Sequence, residues 1–293
     1  MRANVGLIAL LAFAVGPAIG ASTPPPLRVF IASDSTAQDY KRDKYPQSGW
    51  GTMLRCALAP NVTVENRAIG GRSTNSFIRE GRLATIAADL RKGDTLLIQF
   101  GHNDQSIDKP ERYTTVDQYV ANLHRFLAVA TQAGAAAVIL TPVARRNFKD
   151  GIEQQTYPAY ADAARRVARD THTPLIDLGR RSEAMLQTLG EPAAAAYYLH
   201  YDGNAGAPGY PNGVHDNTHF SELGARRVAD LVAVDLRKLG LPVSRYVTPH
   251  VPALTRATPA GAQFAEMRIV VDSVRIPRCT GVAVIVQVIG RRS

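Results

Sequence analysis

Five short, nearly continuous apolar runs recur along the chain, at residues 27–32, 62–64, 95–100, 136–140 and 174–177. Their length, and the polar or small residues that follow, predict strands buried on both faces. Between and after them the apolar positions take the helical period. Leu83, Ile86, Ala87 and Leu90 share one face before Gly93, and Val116, Val120, Leu123, Leu127 and Ala130 share another before Gly134. Tyr160, Ala163, Ala164, Val167 and Ala168 form a third face, and a last helical stretch over 223–239 closes at Gly240. A glycine just past a helix suits the left-handed residue that ends one. Strands alternating with helices predict an α/β fold with a parallel sheet covered on both faces, a three-layer α/β/α sandwich. Ala193 to Ala196 reads as a helix turn, and residues 203–213, rich in Gly, Pro and Asn, as a long irregular loop.

The two ends depart from this pattern. Met1-Arg2 is positively charged, residues 5–15 are apolar, and Ala18-Ile19-Gly20-Ala21 offers small residues for cleavage. Residues 1–21 therefore read as a signal peptide, and a secreted or periplasmic protein with no membrane contact after cleavage is expected. The apolar stretch is broken by Gly16 and Pro17 and falls short of the roughly 20 residues that span a bilayer. After an expected domain over 27–241, residues 242–293 contain two β-like runs, at 268–271 and 282–289. This extension is read as β-rich or disordered, with no assigned role.

With 293 residues, 45% of them hydrophobic, the chain can bury a sizeable core without a disulfide framework. Its two cysteines, Cys56 and Cys279, exclude a cysteine-based metal cluster, although a single bond between them is compatible with an oxidising compartment. The net charge of +9 arises from 34 basic and 25 acidic residues with no long basic run, so it does not indicate a nucleic-acid partner. Residues 241–293 hold seven arginines against two acids, so over half of that excess belongs to the C-terminal segment.

No phosphate loop, His-Glu-x-x-His pair, Gly-x-Gly-x-x-Gly fingerprint or Gly-x-Ser-x-Gly elbow is present. What remains are polar blocks after predicted strands, the edge where open α/β sheets build their sites. Ser33-Asp34-Ser35-Thr36 follows the first strand and can expose a serine hydroxyl, though the same string makes an ordinary turn or helix cap. Gly70-Gly71-Arg72-Ser73 follows the second strand and lets backbone N–H groups approach a ligand, or simply turns the chain. Gly101-His102-Asn103-Asp104 follows the third and offers an amide donor or a polar loop. Asp216-Asn217-Thr218-His219 lies in an expected loop before the last helix, where a carboxylate can orient an imidazole or merely cap the helix.

Their order is more informative than any one block. It resembles the SGNH or GDSL hydrolase superfamily and, through residues 31–37, 66–81, 100–104 and 216–220, its rhamnogalacturonan acetylesterase branch. The likeness covers residues 27–241 and implies the flavodoxin-like sandwich of that superfamily, without metal or organic cofactor. It implies Ser35 as nucleophile, His219 as base and Asp216 as the group orienting the base. The backbone N–H groups of Ser35 and Gly71 and the Asn103 side chain would form the oxyanion hole. One departure is Ser33, which stands where the family has glycine. His102 and Asp104 are expected to shape their loop, and Trp50, the only tryptophan, to fill core.

Tyr197, Tyr198, Tyr201 and Tyr210 precede Asp216 and are candidate sugar contacts, or residues that pin the loop. Arg72 could face a uronic-acid carboxylate or brace its own loop. The expected function is that of a monomeric serine esterase removing acetyl groups from plant cell-wall polysaccharide, chiefly rhamnogalacturonan. A general esterase or lipid acylhydrolase and a non-catalytic glycan-binding protein are the alternatives.

Overall fold

The computed structural model of the chain describes residues 26–203, 207 and 209–248. The expected signal peptide, the β-like runs at 268–271 and 282–289, and Cys279 lie outside the described residues. Nine strands are described: β1 (Leu27–Ser33), β2 (Val62–Asn66), β3 (Thr95–Gln99), β4 (Ala136–Leu140), β5 (Phe148–Lys149), β6 (Ile152–Glu153), β7 (Leu175–Ile176), β8 (Tyr198–Tyr201) and β9 (Val214–Phe220). Five of them form one parallel sheet in the order β2-β1-β3-β4-β7. The chain reverses its direction of winding beside β1, so a crevice opens at the C-terminal ends of β1 and β3.

Eight helices accompany the strands: α1 (Trp50–Leu54), α2 (Thr74–Arg79), α3 (Arg82–Asp89), α4 (Val116–Ala133), α5 (Pro158–Asp170), α6 (Leu178–Leu189), α7 (Glu191–Ala194) and α8 (Glu222–Lys238). Alternate strand residues feed two cores, as the pleat requires. Val29, Ile31, Leu97 and Val138 pack with Trp50 of α1, Leu186 of α6 and Val228 and Val232 of α8. Phe30, Ala32, Leu96, Ile98 and Ile139 pack on the opposite face with Phe77, Leu83, Phe126 and Val167 from α2 to α5. The three-layer architecture expected from the alternation is therefore present. Helix α4 shows how local signals set its ends. Thr115 and Gln118 form a reciprocal capping box at its start, and Gly134 adopts a left-handed φ of 67° past its end.

Two expectations need correction. Asp216 to His219 do not lie in a loop but within β9, which pairs antiparallel with β8. The domain also continues past 241. Val243 and Val247 are buried, Ser244 Oγ donates to Leu236 O at 2.6 Å, and Thr248 N donates to Ala57 O at 2.8 Å. No described helix is long and apolar enough to cross a membrane.

Candidate active site

Strand β1 lies between β2 and β3, and the turn after it is built from side-chain hydrogen bonds. Asp34 Oδ1 accepts from Thr36 N at 2.9 Å, an Asx turn that leaves Ser35 between the two tied residues. From the end of β3, Gln99 Oε1 gathers Ser33 Oγ at 3.0 Å, Thr36 Oγ1 at 3.0 Å and Trp50 Nε1 at 2.9 Å. Trp50 thus fills core as expected and also anchors this turn. The same contact gives Ser33 a use for the hydroxyl that glycine lacks.

The imidazole partner comes from the opposite end of the chain. In a regular strand, residues three apart point to opposite faces, which would keep Asp216 and His219 apart. Here Leu199 of β8 pairs with Asp216 while its neighbour Tyr198 pairs with Phe220, so residues 217–219 bulge out of β9. Asp216 Oδ1 accepts from Thr218 N at 2.6 Å and His219 N at 3.1 Å, which folds the bulge back on itself. Asp216 Oδ2 then lies 2.7 Å from His219 Nδ1, and His219 Nε2 lies 2.9 Å from Ser35 Oγ. Partial burial opposes the charge on Asp216, but the His219 ring and the two backbone N–H groups outweigh it and bring its pKa to about 2. An ionised carboxylate accepts from Nδ1–H, so Nε2 presents its lone pair to the serine hydroxyl.

The glycine and asparagine blocks close the other side of the crevice. A Cβ on Gly70 would stand 3.5 Å from Ser35 Cβ, and Gln38 Oε1 accepts the Gly70 N–H. Gly71 has a φ of 78°, in the left-handed region that favours glycine. Asn103 Nδ2 donates to Arg72 O at 3.0 Å, while its Oδ1 accepts from Arg112 Nη1, also at 3.0 Å. Gly70 therefore faces the Ser35 side chain and Gly71 faces Arg112, which holds Asn103. Of the sequence candidates, Ser35, Asp216 and His219 form one hydrogen-bonded series, with Gly71 and Asn103 beside it.

The candidate substrate contacts fare differently. Arg72 Nε lies 3.1 and 3.2 Å from the Glu80 carboxylate oxygens, and its Nη1 donates to Gly70 O at 2.8 Å. It braces its loop rather than facing a ligand. Tyr198 is 1% exposed and donates to Ala144 O at 2.8 Å, and Tyr201 is 2% exposed in a small cluster with Tyr45, Leu199 and Ala207. Neither ring offers a face to a sugar, which corrects the reading of both. Tyr197 and Tyr210 remain partly exposed, with Tyr210 Oη donating to Gln47 Oε1 at 2.5 Å.

Three neighbours of the site escaped the sequence reading. Tyr40 Oη donates to Ser35 O at 2.8 Å, Gln99 collects the β1 turn, and Arg112 reaches Asn103. Below the site, His102 Nδ1 lies 3.6 Å from the buried Asp34 Oδ2. Burial opposes the Asp34 charge, yet His102 and Thr36 hold its pKa below the usual carboxylate value. Asp104 Oδ1 accepts from Thr74 N at 3.0 Å and Thr74 Oγ1 at 2.5 Å, tying the third block to α2. Burial dominates there and pushes Asp104 up to about 7. Among the described residues, no group of three or more His, Cys, Asp or Glu side chains is placed to hold a metal ion.

A serine, an imidazole and a carboxylate linked in series at the C-terminal edge of a flavodoxin-like sheet are the equipment of an ester hydrolase. Residues 34–227 match the GDSL-like lipase/acylhydrolase family, and the chain belongs to it. Among curated relatives, the chain is 40% identical over 223 residues to rhamnogalacturonan acetylesterase RhgT of Bacillus subtilis, covering 76% of this chain and 94% of that protein. It is 38% identical to the probable rhamnogalacturonan acetylesterase YesY of the same organism, covering 75% and 96%. Among solved structures, protein YxiM of Bacillus subtilis superposes with a TM-score of 0.62 at 25% identity, over 74% of this chain and 57% of that one. The acetylxylan esterase Axe2 of Geobacillus stearothermophilus reaches a TM-score of 0.51 at 19% identity, over 77% and 97%, and shares the fold.

Proposed function

We propose that the chain is a secreted or periplasmic serine esterase that removes acetyl groups from plant cell-wall polysaccharide, with rhamnogalacturonan as its substrate. The hydrogen-bonded series Ser35–His219–Asp216 carries the reading of mechanism. The likeness to RhgT and YesY over most of the chain supports the substrate.

Ser35 Oγ attacks the acetyl carbonyl carbon as His219 Nε2 takes its proton, and Asp216 steadies the imidazolium that results. The carbonyl oxygen becomes an oxyanion held by the N–H groups of Ser35 and Gly71 and by Asn103 Nδ2, where one donor is worth about 2.7 to 4 kcal/mol. Collapse breaks the bond to the sugar oxygen, which leaves with the proton from His219. Water then gives a proton to His219 and attacks acetyl-Ser35, and the second collapse releases acetate and returns the proton to Ser35 Oγ.

The test compares wild type with Ser35→Ala on 4-nitrophenyl acetate, then follows acetate release from acetylated rhamnogalacturonan and acetylated xylan. The variant should lose at least about 10⁴-fold in kcat, and rhamnogalacturonan should be deacetylated faster than xylan. Equal rates for the two proteins would refute the mechanism. Preference for xylan would refute the substrate and leave the mechanism standing.

A further inference from the structure

We propose that Arg112 is a positioning residue of the oxyanion hole: its guanidinium locks the Asn103 amide so that one Nδ2 hydrogen is left for the reacting oxygen, and its charge strengthens that donor. The inference rests on the serine-esterase reading above. An amide side chain has an acceptor end and a donor end, and its neighbours decide which way it points. Arg112 Nη1 is a donor only and stands 3.0 Å from Asn103 Oδ1, while Arg72 O is an acceptor only and stands 3.0 Å from Nδ2. The reverse orientation would set N–H against N–H and oxygen against oxygen. Arg72 O takes one Nδ2 hydrogen, and the second remains.

The guanidinium is held beside both residues expected to donate from outside the β1 turn, Asn103 and Gly71. Arg112 Nη1 lies 3.3 Å from the place a Cβ on Gly71 would occupy, so glycine at this position also makes room for the cation. The segment around Arg112 is pinned at several points. Arg112 N donates to Lys109 O at 3.0 Å, Thr114 N to Asp104 O at 2.9 Å, and Tyr160 Oη to Thr114 O at 2.6 Å.

Its charge is also weakly neutralised. Arg72 and Arg82 share Glu80 at 3.1 and 2.6 Å, whereas the acidic partner of Arg112 is Glu111, whose Oε1 lies 3.8 Å from Nε. Glu111 is 67% exposed and Arg112 only 21%, so water screens the acid more than the base. Arg112 Nε is itself buried without a hydrogen-bond partner. A half-buried cation bonded to the amide oxygen draws electron density from the amide and makes Nδ2–H a better donor to a developing negative charge.

The experiment measures kcat and KM on 4-nitrophenyl acetate, and inhibition by phenylboronic acid, whose serine adduct mimics the tetrahedral oxyanion. Arg112→Met and Arg112→Lys are made in the wild-type and Asn103→Ala backgrounds. Arg112→Met should lower kcat about 10- to 100-fold with KM changed by less than about twofold, and weaken the boronate by a similar factor. Arg112→Lys, which can still donate to Oδ1, should recover part of the loss. In the Asn103→Ala background the same substitution should cost no more than about threefold, because the group it acts through is gone. The inference is overturned if Arg112→Met keeps wild-type kcat, or if it loses the same factor with and without Asn103. If Ser35→Ala is as active as wild type, it is the esterase reading that fails instead.

Discussion

Gly224 lies in the first turn of α8, where the helix abuts the turn leading into β8. A Cβ there would stand 1.8 Å from Tyr197 O, 2.7 Å from Tyr197 C and 3.0 Å from Tyr197 Cα. All three atoms are backbone, so no rotamer change relieves the clash in Gly224→Ala. Opening the shortest contact from 1.8 to about 3.0 Å needs a shift of at least about 1.2 Å. The same interface holds the end of β9, because Ser221 N donates to Tyr197 O at 3.1 Å and Ser221 Oγ to Ala196 O at 2.7 Å. Ser221 is two residues from His219, whose 2.9 Å link to Ser35 would stretch beyond hydrogen-bond range under most of that shift. Gly224→Ala should therefore lose about 10²-fold in kcat and about 1–3 kcal/mol of stability. The assay pairs 4-nitrophenyl acetate kinetics with urea unfolding under one buffer condition. Gly240→Ala is the control: its φ is 69° and nothing lies within 4 Å of the added Cβ, so it should lose stability and keep kcat. Wild-type kcat and midpoint in Gly224→Ala would refute the argument.

Asp216→Asn should lower kcat about 10⁴-fold and also lower the melting temperature at neutral pH, because a carboxylate whose pKa is depressed in the folded state stabilises that state. The amide can still accept from Thr218 and His219 N–H but presents NH₂ to His219 Nδ1, which forces the tautomer that donates toward Ser35. A loss under tenfold would contradict that role. Asp104→Asn should flatten the pH dependence of stability. The folded carboxyl holds its proton up to about pH 7, whereas an unfolded one releases it near about pH 3.9. The folded state thus binds more protons between those values, and stability falls as pH rises through the window. The substituted amide keeps an acceptor for Thr74 and removes the titration. Urea midpoints at pH 5 and pH 8 that differ as much in the variant as in wild type would sink this account.

Strands β1, β3 and β4 were legible in the sequence because most of each is buried on both faces and so reads as an apolar run, whereas β2, at the sheet edge with Thr63 exposed, showed only as a short Val-Thr-Val stretch. Helix α6 was not, since Arg180, Arg181 and Glu183 interrupt its period and its buried residues include Gly179 and Ser182. Strand β9 was hidden for another reason. Its sequence Val-His-Asp-Asn-Thr-His-Phe has no alternation, and its strand character comes from pairing with β8. Ser35, Gly71 and Asn103 stood out because each follows a readable strand. Arg112 stands nine positions past Asn103 in a polar loop, and only the folded chain puts it at the amide. Tyrosines that fill a core and tyrosines that line a cleft have the same composition, so the sequence leaves Tyr198 and Tyr201 open between sugar contact and loop anchor, and the fold buries both.

Ser35 and His219 meet across 184 positions, and the last strand of the parallel sheet ends at Ile176. A chain growing from its N-terminus can complete that sheet, with Ser35 already in its turn, and still hydrolyse nothing. Hydrolysis begins only when β8 and β9 pair and α8 seats against them. Regain of activity during refolding therefore times the docking of α8 and the β8–β9 pair, which completes the core on that face, rather than assembly of the parallel sheet.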